Sequence, residues 1–235
     1  MKKEQLITEI ERRWKMNLGR LDWYICLQAN IKQYFFHHPK TEIEKQVRWV
    51  LYDLVTEALE QGDVGLGEEG INWDVERKPL KFAVIHHSGT DPEVSISRLS
   101  AMGLLRVYAP IYLNKEQFPE AYGNPIHSHH WKDGRQVFYT YHWLIRRNGA
   151  AERLLEDDQI GWHAGNWPIN CASIGICLAG NYSLEKPTEA ALEKLSSILK
   201  TYKKIEILPH CEINQKTDCP GGWINEQRWN NSHKK

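Results

Sequence analysis

Two short apolar runs that each end in a histidine constrain this chain most. Lys81-Phe-Ala-Val-Ile-His86 and Lys204-Ile-Glu-Ile-Leu-Pro-His210 lie far apart in the sequence. A continuous apolar run such as Phe82 to Ile85 suits a strand covered on both faces, as in the sheet of an α/β domain. Two such strand ends lying side by side would bring His86 and His210 together. The loop after His210 delivers Cys219 just before Pro220-Gly221, and imidazole and thiolate are the commonest zinc ligands. Three protein ligands with a fourth position left to water describe a catalytic zinc rather than a structural one. A histidine at a strand end is more often structural or surface polar than a ligand, so spacing alone leaves both readings open. Successive strand side chains face opposite ways, so His86 and His87 are not expected to reach one ion together.

Residues 1 to about 62 read as helical. Leu6, Ile7, Ile10, Trp14 and Leu18 recur at helical spacing, and a second apolar stretch covers Trp23 to Phe36. Thr41 is a candidate N-cap for a third helix, striped by Val47, Val50, Leu51, Leu54, Val55 and Leu59. Residues 62–70 carry four glycines and read as a flexible connection. The expected division is therefore a helical segment over 1–70 and a larger domain over 71–235.

From residue 80 strands alternate with helices. Asp91-Pro92 is expected to open a helix to about Tyr108, and 109–135 is the least regular part. His127, His129 and His130 there either line a solvated loop, the commoner case, or form a second metal site. Val137 onwards reads as a strand entering an Asn148-Gly149 hairpin turn. His163 sits in a glycine-punctuated loop, Ser173 to Leu178 is another buried strand, and Thr188 caps an amphipathic helix.

Lysine plus arginine balance aspartate plus glutamate, 30 against 30, so no bulk field draws the chain to nucleic acid or membrane. No stretch is apolar enough to span a bilayer. The start, Met1 to Arg13, lacks the apolar core of a secretory signal, so cytoplasmic synthesis and residence are expected. The five cysteines are odd in number and show no framework spacing, which argues against disulfides. Cys177 and Cys26 read as small buried hydrophobes.

In this order the motifs Val84-Ile-His-His-Ser88, Tyr141-His-Trp-Leu-Ile145, Gly161-Trp-His-Ala-Gly165, Ser173-Ile-Gly-Ile-Cys-Leu-Ala-Gly-Asn181, and His210 with Thr217-Asp-Cys-Pro-Gly221 stand together. Over roughly residues 80 to 223 the chain resembles the zinc-dependent N-acetylmuramoyl-L-alanine amidases of the peptidoglycan-recognition-protein and phage-lysozyme type. The resemblance implies a central mixed β-sheet flanked by helices, an α/β amidase fold behind the N-terminal helical segment. It implies Zn2+ held by His86, His210 and Cys219, with three catalytic residues. These are Tyr141 as a donor to the oxyanion, Thr217 as a hydrogen-bond donor where some phage enzymes carry lysine, and His163 lining the substrate cleft, where it either binds substrate or helps protonate the departing amine. The implied substrate is peptidoglycan, cut at the lactyl amide between N-acetylmuramic acid and L-alanine by a phage-type lysin that reaches the wall after release or export. Cytoplasmic recycling amidases carry a glutamate after the Ser-Ile-Gly-Ile run and an aspartate as third ligand, and Cys177 and Cys219 depart from that pattern. The rival is a non-catalytic peptidoglycan-binding module, whose members typically lose the ligand cysteine. No partner for the N-terminal helices is legible.

Overall fold

The computed structural model describes residues 3–89 and 94–226. In chain order its helices and strands are α1 (Lys3–Asn17), α2 (Trp23–Cys26), α3 (Gln28–Phe35), α4 (Glu42–Gln61), β1 (Phe82–His87), α5 (Ile96–Gly103), α6 (Ala109–Tyr112), β2 (Trp131–Lys132) and β3 (Arg135–Gln136). There follow β4 (Trp143–Ile145), β5 (Ala151–Arg153), α7 (Trp167–Cys171), β6 (Ser173–Leu178), α8 (Glu189–Thr201), β7 (Glu206–Pro209) and α9 (His210–Ile213). The chain divides into two compact units, one of residues 1–72 with 95–138 and one of 73–94 with 139–235.

The first unit is mostly helical. A capping box opens α4: the Thr41 hydroxyl accepts from the Glu44 N–H, and the Glu44 carboxylate accepts from the Thr41 N–H. Its stripe is buried at Val47, Leu51, Tyr52, Leu54 and Val55. The expected second helix is two, α2 and α3, meeting at Leu27, and Cys26 is half-buried rather than buried. Residues 62–70 are not a loose connection. Gly65 N–H donates to Leu18 C=O, Gly67 N–H to Ile126 C=O, and the Gln136 amide to Gly67 C=O. A Cβ on Gly65 would stand 2.2 Å from the Arg20 carbonyl oxygen, so this glycine permits close backbone approach rather than freedom.

The division expected at residue 70 treats everything beyond it as one segment, whereas 95–138 pack with the N-terminal helices. The Tyr24 hydroxyl donates to Asn124 C=O at 2.7 Å, and the Tyr24 ring meets Tyr112 edge-on. Asp91 and Pro92 lie outside the described residues. The helix described there starts at Ile96, with the Ser95 hydroxyl accepting from Arg98 N–H, and runs past Tyr108 to Tyr112. It passes Pro110 because Leu104–Tyr108 form a π-type turn, in which Ala109 N–H bonds Leu104 C=O five residues back. The ladder has already shifted where proline has no N–H to give.

The second unit holds a five-stranded sheet in the order β5-β4-β6-β1-β7, with β5 antiparallel to β4 and the other neighbours parallel. This is the mixed sheet flanked by helices that the sequence implied. Ala83, Ile85, Ile174, Ile176 and Leu178 alternate onto one face and bury themselves with Leu195, Ile198 and Leu199 of α8. The Thr188 hydroxyl caps α8, as expected. The strand expected from Val137 contracts to Trp143–Ile145, followed by the Asn148-Gly149 turn in which Arg146 N–H bonds Ala150 C=O at 2.7 Å. No described helix is long and apolar enough to cross a membrane. All five cysteines are free thiols.

Candidate metal centre

The register of β1 and β7 builds the site. Ile85 pairs with Pro209, so the residues that follow, His86 and His210, leave adjacent strands at the same carboxyl edge, and their ring centroids lie 4.5 Å apart. Ligand sites of open α/β sheets favour that edge. Cys219 arrives from the loop after α9. Its carbonyl accepts from Cys211 N–H at 2.8 Å, its N–H donates to the Thr217 hydroxyl at 3.2 Å, and His87 N–H donates to its Sγ at 3.3 Å. Cys219 Sγ then stands 3.8 Å from His86 Nδ1. The His86, His210 and Cys219 ligand atoms all lie within 4.8 Å of one another. Tetrahedral zinc with ordinary bond lengths separates nitrogen and sulfur ligands by about 3.5 Å, so this donor set fits one ion.

Two further observations fit a metal here. His210 Nε2 is buried with no hydrogen-bond partner, while the Ala164 backbone engages the ring. A buried orphan nitrogen costs free energy unless something binds it. Burial pushes the pKa of His86 well below the usual value, helped by His163 and His210, and burial likewise lowers that of His210. Both rings are therefore neutral at pH 7, the state in which imidazole donates a lone pair.

His87 points the other way, as strand alternation requires. Its Nδ1 accepts from Tyr182 N–H at 3.0 Å. Tyr141 is half-buried with its ring centroid 5.1 Å from that of His86. Thr217 is half-buried, its hydroxyl oxygen accepting from Cys219 N–H while its own proton stays available. His163 is 6% exposed, so it is packed beneath the site rather than laid open along it. Its Nδ1 is 3.1 Å from His86 Nε2 and its Nε2 is 3.2 Å from the Ser173 hydroxyl.

Other residues shape the site without a motif that names them. Gly175 on β6 makes room for His163: a Cβ there would come within 2.7 Å of the imidazole Cγ and Cδ2. His142 ties strands together, its Nδ1 accepting from Gly175 N–H and its Nε2 donating to Gln159 C=O. Arg77 donates through Nη1 to the Asn170 and Ser173 carbonyls and through Nε to Asp157 C=O. In the sequence it is one of three cations, with Lys78 and Lys81, before an apolar run, and nothing there singles it out. Cys177, the register partner of His86, is fully buried, and burial raises its thiol pKa well above the usual value.

The histidines of 127–130 lie in the helical unit and are not the solvated loop expected. His127 and His130 are 3% and 2% exposed. His127 Nδ1 accepts from His129 N–H, and His129 Nε2 bonds Gly70 C=O. Among the described residues the group able to hold one ion is His86, His210 and Cys219.

The N-acetylmuramoyl-L-alanine amidase family description matches residues 76–222. An endolysin of Enterobacteria phage K11 is 32% identical over 98 residues, 38% of this chain and 62% of that protein. The 1,6-anhydro-N-acetylmuramyl-L-alanine amidase AmpD of Haemophilus influenzae is 34% identical over 114 residues, 42% of this chain and 61% of its own. The matched stretch thus spans about three-fifths of each curated relative. A solved endolysin amidase from Clostridium intestinale aligns over 65% of this chain and 84% of its own, at 21% identity and a TM-score of 0.44. By the family match, which covers more than half of its length and every residue of the candidate centre, this chain belongs to the N-acetylmuramoyl-L-alanine amidase family.

Proposed function

We propose that the protein is a zinc-dependent amidase that hydrolyses the bond between the lactyl group of N-acetylmuramic acid and L-alanine in peptidoglycan. The observation that carries this reading is the convergence of His86, His210 and Cys219 at one sheet edge, with His210 Nε2 buried and unbonded. Family membership and the phage endolysin relatives support the substrate class and a role in wall lysis.

His86, His210 and Cys219 would hold the zinc, which when bound would supply Lewis-acid chemistry to the amide carbonyl and bring the pKa of a water towards roughly 7. The protein groups around it divide the remaining work. The Tyr141 hydroxyl is the donor proposed for the developing oxyanion, where one such hydrogen bond lowers the barrier by about 3 kcal/mol. Thr217 orients the Cys219 backbone and keeps a hydroxyl proton with which to donate to substrate. The His87 N–H donates to Cys219 Sγ and so favours the thiolate that a metal requires.

Mass spectrometry of muropeptides tests the reaction. Wild-type protein is expected to release free stem peptides with an L-alanine amino terminus from purified walls, and Cys219→Ala to release none. Wild-type protein that is supplied with zinc, pellets with walls and still releases nothing would replace the enzyme by a binding module.

A further inference from the structure

Proton counting along the buried side of the centre fixes a chain of hydrogen bonds. The Ser173 hydroxyl donates to Ile169 C=O at 2.6 Å, so its proton is committed. Its oxygen therefore accepts from His163 Nε2–H at 3.2 Å. A neutral imidazole carries one N–H, so His163 Nδ1 has a lone pair and accepts from His86 Nε2–H at 3.1 Å. His86 in turn is left with its lone pair on Nδ1, the nitrogen facing Cys219 Sγ at 3.8 Å.

We propose that Ser173 and His163 form a positioning relay that fixes the tautomer and ring orientation of His86, so that His86 presents Nδ1 to the metal. His163 is then a positioning residue and not the donor of a proton to the departing amine. Both of its ring nitrogens are engaged with protein groups, and the side chain is 6% exposed. Metal-binding histidines ordinarily give their second N–H to a carboxylate, carbonyl or water. Here an imidazole takes that place, itself held by a hydroxyl anchored on the last turn before β6. Three features of the sequence converge on this arrangement. Gly175 vacates the space the His163 ring occupies. The Asn170 side chain accepts from Ala164 N–H and fixes the loop carrying His163. Arg77 clamps the Ser173 and Asn170 carbonyls.

The inference rests on the metal centre proposed above, and the test separates the two. Zinc affinity is measured by competition with a chromophoric chelator, alongside turnover on purified walls and circular dichroism, for wild type, His163→Leu, His163→Asn and Ser173→Ala. The Asn carboxamide oxygen can still accept from His86 Nε2–H, whereas Leu cannot. His163→Leu is expected to bind zinc roughly 10–100-fold more weakly, and His163→Asn to stay within about threefold of wild type and to recover most of the turnover lost in Leu. Ser173→Ala, which leaves the His86 contact but lets the His163 ring choose either tautomer, is expected to fall between them. It keeps the test open should the Leu variant not fold. Undiminished zinc affinity in the Leu and Ala variants, with turnover lost equally in Leu and Asn, would overturn the relay and return His163 to substrate chemistry. Wild-type protein without measurable zinc affinity would instead remove the metal centre itself, and the relay with it.

Discussion

At the scale of single residues, the roles proposed for the candidate centre are those of ligands, positioners and reaction groups, and each carries its own expectation. Replacing Cys219 by alanine is expected to cost zinc affinity beyond the roughly 100-fold that bounds loss of a ligand's hydrogen-bond partner, measured by chelator competition. Tyr141→Phe is expected to keep zinc and fold while losing about 10²–10³ in kcat, with KM little changed, because an oxyanion donor acts mainly in the transition state. The buried histidines also make the metal-free protein sensitive to acid. His86 and His163 have folded pKa values far below the usual one, burial being the main cause. The unfolded chain therefore binds their protons first, near pH 6.5. Their contribution to stability is fully present above that pH and is lost as pH falls below it, by up to about 1.4 kcal/mol per pH unit for each histidine until its folded pKa is reached. Urea titrations of metal-free protein at pH 7.5 and 5.5 check the sign: a midpoint equal at both, or higher at pH 5.5, contradicts it.

At the scale of elements, what holds the site is the register of parallel strands and the helix that covers their far face. Leu195 in α8 is fully buried against that face. Leu195→Ala is expected to cost about 2–5 kcal/mol, and Leu184→Ala, at a residue 84% exposed, to lie within about 0.5 kcal/mol of wild type. Equal denaturation midpoints for the two would contradict the packing described. Much at this scale was legible in sequence. The apolar runs before His86 and His210, the buried run after Ser173 and the Thr188 cap all became the elements they suggest, because local composition and tertiary burial agree there. That His86, His210 and Cys219 come together was readable from strand ends and family motifs. The supporting groups were not. Gly175 reads as a strand weakness until the His163 ring is seen against it, and His142 reads as one half of a motif until its two backbone bonds are counted. Pro110 reads as a helix end, since nothing in composition announces a π-type turn that has already displaced the ladder. The short β2–β3 hairpin was missed although Asp133-Gly134, both with positive φ, is the turn such a ribbon requires.

For the whole molecule, the placing of residues 95–138 matters most. They share a compact unit with residues 1–72, and Arg98 pairs with Asp53 of α4. Removing 1–72 alone would strip the partners from Leu99, Leu104, Tyr108 and Tyr112, which are almost wholly buried. The truncated chain is therefore expected to aggregate or melt well below the full-length protein, rather than to behave as a free-standing amidase. A thermal scan that finds it soluble with an unchanged Tm contradicts that expectation. The central proposal is one ion held by His86, His210 and Cys219, and zinc K-edge X-ray absorption of the purified, zinc-loaded protein reads that ligand shell directly. Two nitrogens at roughly 2.0–2.1 Å, one sulfur at about 2.3 Å and one oxygen are expected, with the sulfur gone in Cys219→Ala. A wild-type shell that contains no sulfur contradicts the claim.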